Sequence, residues 1–130
     1  MTRSRILLIA IAVLTGAALF FSGMAAGKNQ VNMPKTVIHH VTLKWKADVK
    51  DADKQKALDG IKDICADIPG VKNIWMKTIK IQPKDYSQTF VIEFENEEAL
   101  KAYADHPKKK EWNDLYYSIR ETSMNSVTSN

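Results

Sequence analysis

Residues Phe90 to Pro107 read FVIEFENEEALKAYADHP, and two hydrophobic periods meet inside them. Phe90, Ile92 and Phe94 alternate with Val91, Glu93 and Glu95, the period of two that sends successive side chains to opposite faces of a strand. After Asn96 the period lengthens, and Leu100, Tyr103 and Ala104 form the inner stripe of a short helix. Asn96 suits the N-cap, because its side chain can accept from an unpaired first-turn amide, while Glu97 and Glu98 complement the helix dipole. Pro107 closes the helix, since the residue before a proline is pushed out of helical geometry.

Upstream, Val37 to Lys46 (VIHHVTLKWK) is a second strand. Val37, His39, Val41, Leu43 and Trp45 share one face; Ile38, His40, Thr42 and the two lysines share the other. From Asp53, apolar residues at Ala57, Leu58, Ile61, Ile64, Cys65 and Ile68 follow helical spacing, with Asp51 and Asp53 at the favourable end and Pro69-Gly70 as the stop. Val71 to Ile81 reads as a further strand, with Ile74 and Met76 opposite Trp75, Ile79 and Ile81, and Pro83 and Asp85 suit the turn after it. Beyond Pro107, a helix from Lys108 to about Ile119 buries Trp112, Leu115, Tyr116 and Ile119, and Glu121 to Thr128 is an edge strand.

The order strand, helix, strand, strand, helix, helix, strand predicts an α+β fold. Two strand–helix–strand halves give a ferredoxin-like four-stranded antiparallel sheet with helices on one face. The uncovered face would then expose Ile38, Trp75, Ile79 and Val91, an apolar patch whose simplest cover is a second copy, so a homodimer is expected.

Residues 1–27 differ from the rest. Arg3 and Arg5, an apolar stretch from Ile6 to Phe21 and the small-residue run SGMAAG have the order of a secretory signal peptide. The competing reading is a membrane anchor over residues 6–26, so export to the periplasm or cell exterior is expected, with membrane attachment only through that segment. Residues 28–35 are a linker and 36–128 the domain. Without the two leader arginines, 17 basic residues stand against 15 acids, a net charge of +2 and no concentrated basic face, so nucleic acid is not an expected partner. The single cysteine, Cys65, cannot close an intrachain disulfide and falls on the apolar helix stripe, where an inert thiol is expected.

The strands and helices together resemble a known family, the stress-responsive alpha/beta barrel or Dabb domain of the dimeric α+β barrel proteins. The resemblance is carried by HHVTLKWK, IPGVKNIW, FVIEFENEEALKAYADHP and an aromatic helix before a final strand, from about Thr36 to Val127. It implies a homodimer whose sheets pack as a barrel, with a pocket between sheet and helices in each subunit. Family cyclases that close polyketide chains carry an acid/base histidine in an H-P-x-H pattern, a tyrosine three residues before the first histidine of that pattern, and a histidine on the first strand. Tyr103, His106 and Pro107 match, and His39 fits the strand position, or His40 if the register slips by one. Lys109 stands where those cyclases have their base.

The candidate catalytic residues are therefore His39, Tyr103 and His106, with His40, Trp45, Phe90 and Trp112 as candidate binding residues. Histidine suits proton transfer because its pKa lies near working pH. The competing readings are a hydrogen-bonded core histidine at 39, a dimer-facing one at 40, a helix-capping one at 106, and core packing for the tryptophans. No metal is expected, because neighbours on a strand face opposite ways and His39 and His40 cannot share one ion; no cofactor is implied. Three function classes stay open: a binder of a small apolar or aromatic molecule, an acid–base enzyme using His39 or His106 with Tyr103, and a structural dimeric domain.

Overall fold

The computed structural model describes residues 30–130, of which Met33–Asn130 forms one compact unit. The leader and anchor readings of residues 1–27 and 6–26 lie outside the described residues. Among the described residues no helix is long and apolar enough to cross a membrane.

Four strands build one sheet: β1 Val37–Trp45, β2 Val71–Trp75, β3 Gln88–Phe94 and β4 Arg120–Thr128. Their order is β2-β3-β1-β4, antiparallel throughout. Val37 lies opposite Phe94, His39 opposite Ile92 and Val41 opposite Phe90. Residues directly opposed across an antiparallel pair share a face, so the apolar sets of β1 and β3 coincide on one side. Three helices cover that side: α1 Asp51–Ala66, α2 Glu97–Ala104 and α3 Lys109–Ile119. This is the ferredoxin-like α+β fold with helices on one face.

The core is the layer between sheet and helices. Leu43, Phe90, Ile92 and Phe94 from the sheet and Ile61 and Ile64 from α1 are almost wholly buried, each contributing about 1.5 to 3 kcal/mol of transfer free energy. Tyr103 of α2 and Trp112, Tyr116 and Ile119 of α3 close the layer. Asn96 caps α2 as its sequence context requires, its side-chain oxygen accepting from the Ala99 amide at 2.9 Å. Gly60 lets α1 and α3 approach closely, since a Cβ there would lie 2.7 Å from Cδ1 of Trp112.

Two expectations are corrected. The strand read as Val71 to Ile81 ends at Trp75. Beyond it side chains replace the backbone ladder: the Thr78 hydroxyl accepts from the Thr89 amide at 2.8 Å, and Gln88 Nε2 donates to the Met76 carbonyl at 2.8 Å. The uncovered face is also less bare than alternation implies, because Ile38 and Val91 are half-buried while Trp75 and Ile79 are exposed.

Candidate functional site

His39 sits mid-strand on the helix-facing side of β1, between Ile92 of β3 and Val127 of β4. Its ring lies 6.0 Å from that of Tyr103, tilted by 52°. Its Nδ1 is buried without a hydrogen-bond partner in the chain, an arrangement that costs free energy unless another molecule supplies the partner. Burial, and then the positive charge of Lys109, holds the imidazole below its ordinary pKa, against the weaker opposing pull of the nearby Ser126 backbone, which lies outside hydrogen-bonding geometry. The ring is thus neutral near pH 7, a form able to accept or relay a proton.

Tyr103 comes from the inner stripe of α2 and is 3 % exposed. It packs on Phe94 at 5.5 Å, and burial holds its phenol protonated well beyond the ordinary range. Its hydroxyl lies 2.9 Å from Nζ of Lys109, at the start of α3. That amine also stands 4.1 Å from the Tyr103 ring centroid and 3.9 Å from that of Trp112. It pairs with no carboxylate among the described residues. Burial lowers it to about 8, only slightly opposed by the Cys65 thiol, which is itself pushed up to about 11 by burial.

His106 does not join this group in the way the sequence suggests. Its ring turns toward the end of α1, with Nε2 3.5 Å from Asp67 and Nδ1 accepting from the Lys108 amide at 3.3 Å. Lys108 reaches the same carboxylate at 2.6 Å. The two contacts place the imidazole proton on Nε2 and make His106 a tie between α1 and the α2–α3 turn. His40 faces the open side of the sheet, 2.8 Å from the Thr89 hydroxyl, which in turn donates to the Val41 carbonyl at 2.9 Å.

Of the aromatic binding candidates, Phe90 is sealed in the core at 1 % exposure, and Trp45 packs edge-on against Tyr116 at 6.3 Å. Trp112 stacks on Tyr116 at 4.5 Å and donates its indole N–H to the Ala57 carbonyl at 2.7 Å. It borders a groove of about 580 Å³ between α1 and α3.

Two further cavities flank the His39–Tyr103–Lys109 cluster. One, of about 570 Å³, lies between α2 and the β1–β4 edge, with Val37, Val127, Leu100 and Ala104 in its wall. Val37 and Val127 adjoin His39, and Leu100 and Ala104 adjoin Tyr103. The other, of about 450 Å³, opens between the end of α2 and α3 and is bordered by Ala104, His106, Lys109 and Tyr117. Ala104 belongs to both walls. Among the described residues no three His, Cys, Asp or Glu side chains are placed to hold a metal ion.

The residue that sequence reading passed over is Lys109, seen there only as the position lacking a histidine. The available signal was its three-residue spacing from Trp112, which puts both on one helix face. Its burial depended on α2, which no spacing along α3 reveals.

Comparison with known proteins agrees with this architecture. The family model for the stress responsive A/B barrel domain matches residues 37–126. Olivetolic acid cyclase of Cannabis sativa is 28 % identical over 88 residues, covering 65 % of this chain and 87 % of that protein. A Dabb family protein of ferredoxin-like fold from Mesorhizobium loti superposes with a TM-score of 0.62 at 25 % identity, over 73 % of this chain and 96 % of that one. A dimeric ferredoxin-like protein from Thermobifida fusca superposes with a TM-score of 0.63 at 16 % identity, over 80 % and 99 % of the two chains.

Proposed function

We propose, from the premise that the chain belongs to the stress responsive A/B barrel (Dabb) family, that it is an exported, homodimeric protein binding a small apolar or aromatic molecule between sheet and helices. The observation that carries the reading is the unpartnered Nδ1 of His39, buried beside Tyr103 next to a cavity whose wall sets Val37, Leu100 and Val127 beside Glu97 and Lys101. Such sites combine apolar lining with a few polar groups that fix orientation. A ligand with a phenolic hydroxyl or carbonyl would give His39 its missing partner while its apolar body lies along Val37, Leu100 and Val127. The plant relative, named as a cyclase of olivetolic acid, supports a small-molecule ligand.

The homodimer reading rests on the uncovered sheet face, where Trp75 is 51 % and Met124 49 % exposed, and on the dimeric state stated for the Thermobifida protein. Export rests on the leader composition alone.

A second reading, acid–base chemistry on the bound molecule, is favoured by the amine of Lys109 lying 2.9 Å from the Tyr103 hydroxyl. Lys109→His rebuilds the H-P-x-H pattern and should raise any cyclase turnover above that of the natural chain. The binding reading is tested by titrating 4-propylphenol into the full chain and the His39→Ala variant by calorimetry. Loss of one buried hydrogen bond should weaken binding by about 1 to 3 kcal/mol. Equal affinity in the two chains, or no binding to either, refutes it.

A further inference from the structure

Lys109 is the one polar group of the cluster that the binding reading leaves without a task. Its Nζ lies between the faces of two aromatic rings, 3.9 Å from the Trp112 centroid and 4.1 Å from that of Tyr103, and it borders the 450 Å³ cavity at the end of α2. The neighbouring lysines on α3 and in the preceding turn differ: Lys108 pairs with Asp67 at 2.6 Å and Lys110 approaches Asp114 at 3.7 Å. We propose that Lys109 is a covalent attachment point for apolar and aromatic aldehydes, which it holds as a reversible imine between Tyr103 and Trp112.

The chemistry needs an unprotonated amine, a proton carrier and shelter from water. The groups around Nζ are Cys65 from α1, Tyr103 from α2, His39 from β1 and His106 from the α2–α3 turn, none of them a carboxylate. Asp105 and Asp114 stand in the cavity wall without pairing to Lys109. With the amine lowered to about 8 by burial, roughly a tenth of it is neutral at pH 7, on the order of a hundredfold more than for a solvated lysine. In the reaction the neutral Nζ lone pair attacks the carbonyl carbon and the C=O π pair moves onto oxygen. One N–H proton passes to that oxygen by way of the Tyr103 hydroxyl, 2.9 Å away, giving a carbinolamine. Departure of the hydroxyl with the second N–H proton releases water and leaves the C=N bond, with nothing oxidised or reduced. The two aromatic faces that now hold the ammonium would then hold an aryl group.

The inference rests on the ligand reading above, and its test separates the two. The full chain is incubated with 4-propylbenzaldehyde and cyanoborohydride at pH 7, and the reduced adducts are located by peptide mass mapping. The expected result is an adduct on Lys109 formed at least tenfold faster than on any other lysine, with the preference abolished in urea. Lys109→Arg should lose that adduct while Lys110→Arg keeps it; the site mapping on the natural chain stands even if a variant folds poorly. Labelling spread over the surface lysines without preference for Lys109 overturns the proposal. If 4-propylphenol binds while Lys109 stays unlabelled, the covalent step is wrong and the pocket reading stands. If neither probe engages the chain, both fall.

Discussion

Replacing Lys109 by methionine should change the pH dependence of stability in a way that burial predicts. In the folded chain the amine titrates at about 8 instead of 10.5. Between those values the unfolded chain binds more protons, so stability rises with pH across that window and the burial cost is fully present below it. The difference corresponds to about 3 kcal/mol below pH 7, at about 1.4 kcal/mol per unit. Working both titrations through, about 2.5 kcal/mol of it is recovered between pH 7 and pH 10. Methionine has similar length and no charge, so the variant lacks this recovery. At pH 7 it also forgoes the ring contacts and the bond to Tyr103, together worth about 1 to 2 kcal/mol, and should be more stable than the natural chain by about 1 kcal/mol. Cys65 titrates in the opposite sense, its raised thiol costing stability as pH climbs past 9; the Lys109 charge pulls that thiol down, so its removal adds to the difference between the two chains in the same direction. Urea denaturation of both proteins at pH 7 and pH 10 is the assay. The natural chain should gain about 1 to 2 M in midpoint relative to the variant over that range. Midpoints that stay parallel would show that Nζ is solvated, and the reasoning about the cluster would fail.

Asn96→Ala removes the one side-chain bond at the start of α2 and should cost about 1 kcal/mol in chemical denaturation. Gly60→Ala sets two effects against each other. Helix propensity gains about 1 kcal/mol, while the new methyl, 2.7 Å from Trp112, displaces the indole and its bond to Ala57. Overpacking of about 1 to 3 kcal/mol plus a lost bond of about 1 kcal/mol should leave the variant less stable by about 1 to 3 kcal/mol after the propensity gain. Intact mass measurement of the protein from its native host should show a chain starting within one or two residues of Gly27; a mass that includes Met1 to Gly27 establishes the anchor reading instead.

The fold was legible because local rules and long-range packing agree over most of the chain. The alternation in β1 and β3, the cap at Asn96 and the stop at Pro107 are all readable within a few residues, and each appears in the structure. Where the reading ran long, at residues 76–81, the deciding interactions came from Thr89 and Gln88, on another strand and invisible to any window on β2.

The site divides along the same line. Sequence alone put His39 on the apolar side of β1 and Tyr103 on the inner stripe of α2, since each follows from the period of its own element. That the two rings face each other at 6.0 Å was decided by the antiparallel pairing of β1 with β3 and the return of α2 across both. Tertiary structure also reversed the roles of two neighbours. His106, which carried the family pattern, is drawn to Asp67 from the far end of α1, while Lys109, set down as an absence, is folded under two aromatic rings. A residue's type and face are properties of its own few turns of chain. Its desolvation, and with it the protonation state that sets its chemistry, depends on atoms brought from elsewhere, and only the folded chain supplies them.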